Sequence, residues 1–273
     1  MYRKRFGFTH HPLPKDAQGN NFYSSVPGYQ RLQTAFAELL EDRGLGLLTG
    51  DAGVGKTAAI RNLCRQLPTP DYRVVYLCDT AVSPLDFYRT LAQELGVTPS
   101  HRRAQLFADL KRALIHLLEE RSTTPVLIID EGQHLSDRFL VELSGFLNFA
   151  FDSREMLVLW LVGLPSLARR LRLHHHQPLA MRVAVHVHLE ALSREPFVAC
   201  IQHALKAAGA TSSVLSDPAL EMLFRASRGL PRIAARLLRM ALRTAHERDH
   251  NFVDEHAMQH AIDQLALAAA TTA

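Results

Sequence analysis

Gly50 and Gly55, followed directly by Lys56 and Thr57, constrain this chain more than any other feature. A short apolar run, Leu45-Gly46-Leu47-Leu48-Thr49, leads into them, and residues 58–67 beyond have helical periodicity until Pro68 stops it. Strand, glycine loop and helix in that order make a cradle for phosphate. The backbone N–H groups of such a loop wrap the phosphates, the Lys56 ammonium reaches the β and γ phosphates, and the Thr57 hydroxyl holds magnesium. A glycine turn matching by chance would not need the strand before it and the helix after it. The expected ligands are therefore ATP and Mg2+, with the nucleotide on Gly50, Asp51, Ala52, Gly53, Val54, Gly55, Lys56, Thr57 and Ala58.

A second apolar run, Val126-Leu127-Ile128-Ile129, ends on Asp130 and Glu131. A carboxylate at the end of a buried strand can reach a magnesium ion directly or through water, which assigns the metal to Thr57 and Asp130. Glu131 is then the base that activates water, and the pair favours hydrolysis over simple binding. Capping of the next helix is the competing reading of the two acids.

Further apolar runs at 74–78, 156–162 and 183–189 alternate with helical patterns at 84–96, 103–120 and 136–148. Ser83-Pro84 and Ser136-Asp137 are good helix openings. Strands apolar on both faces, alternating with amphipathic helices, indicate an α/β fold with a five-stranded parallel sheet between helices. In the fifth, Val183, Val185, Val187 and Leu189 alternate with Ala184, His186, His188 and Glu190. From Ser193 the strand signals vanish and three or four helices follow, one opening at Asp217-Pro218 and ending at Gly229. The expected division is an α/β domain over residues 1–192, including an N-terminal segment and helix over 1–43, and a small all-helical domain over 193–273.

With 47% hydrophobic and 21% charged residues, the 273-residue chain has the composition of a folded globular protein. Its longest apolar stretch, residues 156–168, is interrupted by Gly163 and Pro165 and is shorter than the roughly 20 residues that cross a bilayer. Met1-Tyr2-Arg3-Lys4-Arg5 lacks the apolar core of a secretory signal, so no membrane contact and a cytoplasmic location are expected. Cys64, Cys78 and Cys200 have neither zinc nor disulfide spacing. The formal charge of +4 is compatible with a nucleic-acid partner and says no more.

The residues resemble the AAA+ ATPases, in the group that includes the secretion ATPase ExeA and the transposition ATPases TnsC, TniB and MuB. The N-terminal segment from Met1 through Phe8 to Pro12 looks like the opening of ExeA-type members, and Phe22-Tyr23 with the helix at 30–41 occupies the place that encloses adenine. Asp130-Glu131-Gly132-Gln133-His134-Leu135 is similar to the family's Asp-Glu-Ala-Gln-His-Leu run, with Gly132 for alanine as a small change. The resemblance implies three further sites. At the end of strand four a polar residue commonly senses the γ-phosphate, and Leu164 stands there instead. Arg182, in Ala180-Met181-Arg182-Val183, matches the arginine supplied to a neighbouring subunit's nucleotide. Arg232, in Gly229-Leu230-Pro231-Arg232, matches the second sensor of the helical lid. Surface ion pairing is the competing reading of both arginines.

Arg232, Arg236, Arg239 and Arg243 recur at helical spacing, as a stripe for DNA or a neighbouring subunit or as a solvated face. Arg169, Arg170 and Arg172 with His174, His175 and His176 form a second basic cluster, expected in a loop that either touches DNA or has no ligand. His246-Glu247-Arg248-Asp249-His250 has zinc-protease spacing at a polar helix end, where an accidental match is expected. The resemblance implies a Mg-dependent ATPase that assembles with itself as a ring or helical filament on double-stranded DNA and recruits or activates a transposase. The alternatives are an ExeA-like secretion ATPase and a DNA-independent nucleotide switch. Secretion relatives carry a membrane span after the ATPase portion, which residues up to Ala273 do not include, and this weighs toward the DNA role.

Overall fold

The computed structural model describes residues 2–17, 19–78, 83–149 and 153–270; Met1 of the N-terminal segment and residues 271–273 of the helical domain lie outside the described residues. Five strands, β1 (Gly44–Gly50), β2 (Tyr72–Leu77), β3 (Thr124–Ile129), β4 (Val158–Gly163) and β5 (Val183–Leu189), form one sheet in the order β2-β3-β4-β1-β5. Every pairing is parallel. The helices are α1 (Tyr2–Arg5), α2 (Pro27–Asp42), α3 (Lys56–Cys64), α4 (Pro84–Glu94), α5 (Arg103–Ile115), α6 (Asp137–Phe146), α7 (Pro165–Leu171), α8 (Gln177–Ala180), α9 (Arg194–Ala207), α10 (Asp217–Ser227), α11 (Pro231–Glu247) and α12 (Glu255–Ala270).

Residues 30–51 and 59–189 pack as one unit around this sheet. The central strands β3 and β4 are buried almost throughout, because helices cover both faces, whereas the edge strands β2 and β5 alternate between buried and exposed positions. Trp160 of β4 is fully buried, and Gly46 is its partner on β1. A Cβ at position 46 would lie 2.8 Å from the indole and 2.7 Å from Leu39, so only glycine lets the ring lie flat on β1. Phe36 of α2 stacks on the same indole.

Local signals set the helix starts. The Ser83 and Ser136 hydroxyls accept from the N–H groups of Asp86 and Phe139, each such cap being worth about 1 kcal/mol. Several expected bounds shift. The helix after the glycine loop ends at Cys64, and the one expected to reach Glu120 is α5 followed by a π-helical turn at His116–Glu120. Strand four begins at Val158, two residues later than expected. The cluster expected in a loop after it is mostly helical: Pro165 is the first residue of α7, and His174–His176 form a 3-10 turn.

Residues 1–29, 52–58 and 190–273 pack as a second unit. Its core joins Tyr2, Phe6 and Phe8 to Phe197, Leu238, Ala241 and Met258 of the C-terminal helices. The Thr9 N–H donates to the Ala208 carbonyl at 2.8 Å, and Arg5 clasps Asp249 and the carbonyl of His250. The N-terminal segment therefore packs with the C-terminal helices, where its place in the sequence grouped it with the sheet. Buried aromatic side chains drive this, since Phe6 and Phe8 would otherwise expose large apolar surfaces. Among the described residues no helix is long and apolar enough to cross a membrane.

Candidate active site

Parallel strands place their loops on one sheet edge, and chemistry gathers where those C-terminal ends meet. Strands β1 and β3 flank β4, so Gly50-Asp51 and Asp130 leave the same edge one strand apart, about 10 Å by ordinary strand spacing. Gly53 and Gly55 have φ of +89° and +101°, backbone that an L side chain resists. Lys56 and Thr57 open α3.

The glycine loop carries one of the predicted arginines against it. Arg232, second residue of α11, donates its backbone N–H to the Gly53 carbonyl at 3.2 Å, and a Cβ on Gly53 would come within 3.2 Å of the Arg232 Cβ. Gly229, with φ +71°, makes this approach possible: its carbonyl accepts from the Leu192 N–H, and a Cβ there would run into the Leu192 carbonyl. In the same unit, Tyr23 faces the His203 ring and Phe22 faces Tyr29.

Asp130 is only 2% exposed, and both of its oxygens are engaged. The Tyr76 hydroxyl donates to Oδ2 at 2.9 Å, and the Glu131 N–H donates to Oδ1 at 2.8 Å. These bonds fix the plane of the carboxylate. Burial, with the neighbouring Asp130 charge adding to it, pushes the Tyr76 phenol well above its ordinary range, so it remains a donor. The fixed carboxylate of Asp130 is the kind of hard oxygen ligand that magnesium prefers, so this residue fits the ion. Sequence reasoning missed Tyr76, whose alternation on edge strand β2 is the one signal that it faces a neighbour of Asp130.

Glu131 follows in the left-handed region, φ 54° and ψ 34°, unusual for a side chain other than glycine or asparagine. Such strain clusters at functional sites. Its Oε2 accepts from the Gln133 Nε2 at 2.6 Å, and the Gln133 Oε1 accepts from the Leu164 N–H at 3.0 Å. Leu164 contributes backbone here and no polar side chain. Gly132 is not a neutral exchange for alanine: a Cβ there would lie 3.0 Å from Leu167 and 3.3 Å from the Val162 carbonyl.

Arg182 stands elsewhere. It precedes β5, whose Val183 pairs with Leu45 while Leu189 pairs with Gly50. Arg182 thus lies at the opposite edge of the sheet from the end of β1, about 20 Å away along the strand. Met181 beside it is 79% exposed.

The basic clusters are less available than their spacing suggested. Arg170 donates to the carbonyls of Gln133 and Leu135 and to Asp137 Oδ1, and His176 is buried with its Nε2 3.0 Å from the same oxygen. Arg170 and then His176 hold the Asp137 carboxyl down at about 2. Asp137, His175 and His176 are close enough to share a metal ion, but the guanidinium on that carboxylate opposes a cation. Arg170→Ala is expected to lower the thermal midpoint, since it removes three hydrogen bonds to the Gln133 and Leu135 carbonyls and to Asp137. Because the Asp137 carboxyl is depressed, the part of the loss due to that carboxylate is full above about pH 4 and fades as the pH falls through about 2, while the part due to the two carbonyls persists, which melting curves across pH test.

On α11, Arg232, Arg236 and Arg243 are exposed, but Arg239 is half-buried near Tyr2 and His11, so the arginine stripe is not one open surface. The zinc spacing fails structurally. Helix α11 ends at Glu247 and Asp249 turns into the left-handed region, so His246 and His250 do not share a helix face.

Comparison with known proteins bears on the fold and on residues 39–171. Residues 39–171 match the AAA domain. General secretion pathway protein A of Aeromonas hydrophila is 30% identical over 252 residues, covering 91% of this chain. The chain spans 45% of that relative's length. Among solved structures, the Aeropyrum pernix ORC1 protein in complex with DNA aligns with a TM-score of 0.70 at 18% identity, over 96% of this chain and 69% of that one. The Thermotoga maritima RuvB Holliday junction branch migration motor aligns at 0.61 and 18%, over 90% of this chain and 74% of that one. At such identities these structures establish the fold. The chain has the P-loop AAA+ fold, and residues 39–171 are similar to the AAA domain.

Proposed function

We propose that this chain hydrolyses ATP with magnesium and uses its nucleotide state to control assembly with copies of itself. The observation that carries the reading is the buried, doubly bonded Asp130 followed by strained Glu131, on the sheet edge from which β1 enters the glycine loop. In this reading Gly50, Asp51, Ala52, Gly53, Val54, Gly55 and Ala58 bind the nucleotide with Lys56, which takes the β and γ phosphates. Thr57 and Asp130 hold magnesium, which supplies charge neutralisation on the phosphates. Glu131 activates water. Arg232 couples the loop to α11, a role supported by its N–H on Gly53. Arg182 serves the nucleotide of a neighbouring copy, because the register of β5 directs it away from its own loop. The assembly is a ring or a filament according to whether that head-to-tail contact closes.

Two readings of the partner follow. The secretion-type reading, in which ATP energises or regulates an envelope assembly, is supported by 30% identity over nearly the whole chain. The DNA-scaffold reading is supported by exposed Arg232, Arg236 and Arg243 and by fold likeness to ORC1 in complex with DNA. Recruitment of a transposase is its most specific form and rests on motif resemblance alone. The cytoplasm, where ATP is supplied, is the compartment both require.

Sedimentation with a non-hydrolysable ATP analogue, with and without duplex DNA across a salt series, separates them. Assemblies that need nucleotide alone favour the secretion-type reading. Assemblies that need DNA as well, and weaken steeply with salt, favour the scaffold. Absence of nucleotide-dependent assembly under every condition contradicts both.

A further inference from the structure

We infer that Gln133 positions Glu131 for catalysis, reaching it from the loop after β3 while anchored on the Leu164 N–H at the end of β4. This rests on the ATPase reading above. Three observations place the side chain. Its Nε2 donates to Glu131 Oε2 at 2.6 Å, its Oε1 accepts from the Leu164 N–H at 3.0 Å, and its backbone carbonyl accepts from Arg170 at 2.9 Å. The amide therefore spans from the end of β4 to the acid, while its own main chain is held from α7.

The surroundings are cut to fit it. A Cβ on Gly163 would lie 2.9 Å from the Gln133 Oε1 and 3.3 Å from its backbone nitrogen, so the last residue of β4 must be glycine for the amide to cross. Leu164, lacking a polar side chain, leaves the backbone N–H as the anchor at this place. An amide suits this position because Oε1 can only accept and Nε2 can only donate, so the Leu164 anchor fixes which end meets the carboxylate. With one carboxylate oxygen tied by Gln133, the rotamer of Glu131 is set before water arrives, which is how a positioned base gains its advantage. Gln133 acts through Glu131 and is a positioning residue.

The test compares steady-state ATP turnover of the full chain with Gln133→Ala, Gln133→Asn and Gln133→Glu, alongside binding of a fluorescent ATP analogue and thermal melting. Asparagine is one methylene too short to reach both partners, so the alanine and asparagine variants should lose about 10- to 100-fold in kcat, the range for groups that orient a reacting ligand. Their KM and analogue affinity should stay within about threefold, since the loop is untouched. Gln133→Glu keeps the size and the acceptor for Leu164 but sets a second carboxylate against Glu131. Its kcat should fall at least as far as that of the alanine variant while KM and analogue affinity hold, a split that a packing role would not produce. Unchanged kcat in the alanine and asparagine variants with an active parent protein overturns the inference alone, as does a kcat loss matched by an equal loss of analogue affinity. No turnover by the parent protein at any concentration defeats the ATPase reading and this inference with it.

Discussion

Arg182→Ala should lower kcat for ATP by about 10³- to 10⁵-fold, the range for a guanidinium supplied to a phosphoryl-transfer site, while ATP-analogue affinity changes little. The physical ground is the register of the sheet. Strands β1 and β5 are parallel, and Arg182 precedes the residue that pairs with Leu45, so it sits at the edge away from its own glycine loop. It can serve a second copy, and Met181, exposed beside it, is the apolar surface that such a contact would bury. Turnover per subunit should accordingly rise with protein concentration in the parent protein and stay flat in the variant. A variant with undiminished kcat would remove Arg182 from the chemistry.

Glu131→Gln should cost about 10²- to 10⁴-fold in turnover, the contribution of a positioned general base, without loss of nucleotide binding. Glutamine can still accept from Gln133 through its amide oxygen but cannot take a proton from water. The variant also separates two kinds of machine. A scaffold that needs only bound ATP assembles with this variant and then fails to disassemble, whereas a motor that needs turnover stalls. Sedimentation of the variant with ATP, followed over time, reads both, and full turnover by the variant would assign the base elsewhere.

How far the sequence could be read follows from how local each signal is. The glycine loop, the acid pair and the two serine caps are short patterns whose physics lies within a few residues, and their strands and helices stand where periodicity puts them. The central strands were legible because burial on both faces leaves continuous apolar runs. Helix α7 was hidden because Leu164 precedes Pro165 with no side-chain cap, so nothing polar marks its start. The packing of Tyr2, Phe6 and Phe8 among the C-terminal helices joins residues far apart in the chain, such as Phe8 and Phe197 or Tyr2 and Met258, which no periodicity encodes. The same is true of Tyr76 on Asp130 and of Gln133 on Leu164, side-chain bonds across 54 and 31 positions. Gly46 and Gly163 carried a faint trace of such contacts, since glycine inside a strand signals close approach. The trace does not name the group that approaches.

Mixing two inactive variants tests the central claim, a catalytic site completed by a second copy, most directly. Lys56→Ala removes the phosphate-binding ammonium and keeps Arg182; Arg182→Ala keeps the loop and removes the guanidinium. In an equal mixture, about one interface in four joins an intact loop to an intact arginine under random head-to-tail assembly, so turnover should recover to roughly a quarter of the parent rate. Recovery to that level, from two proteins that are each inactive alone, is the predicted result. A mixture no more active than its components would contradict a shared site.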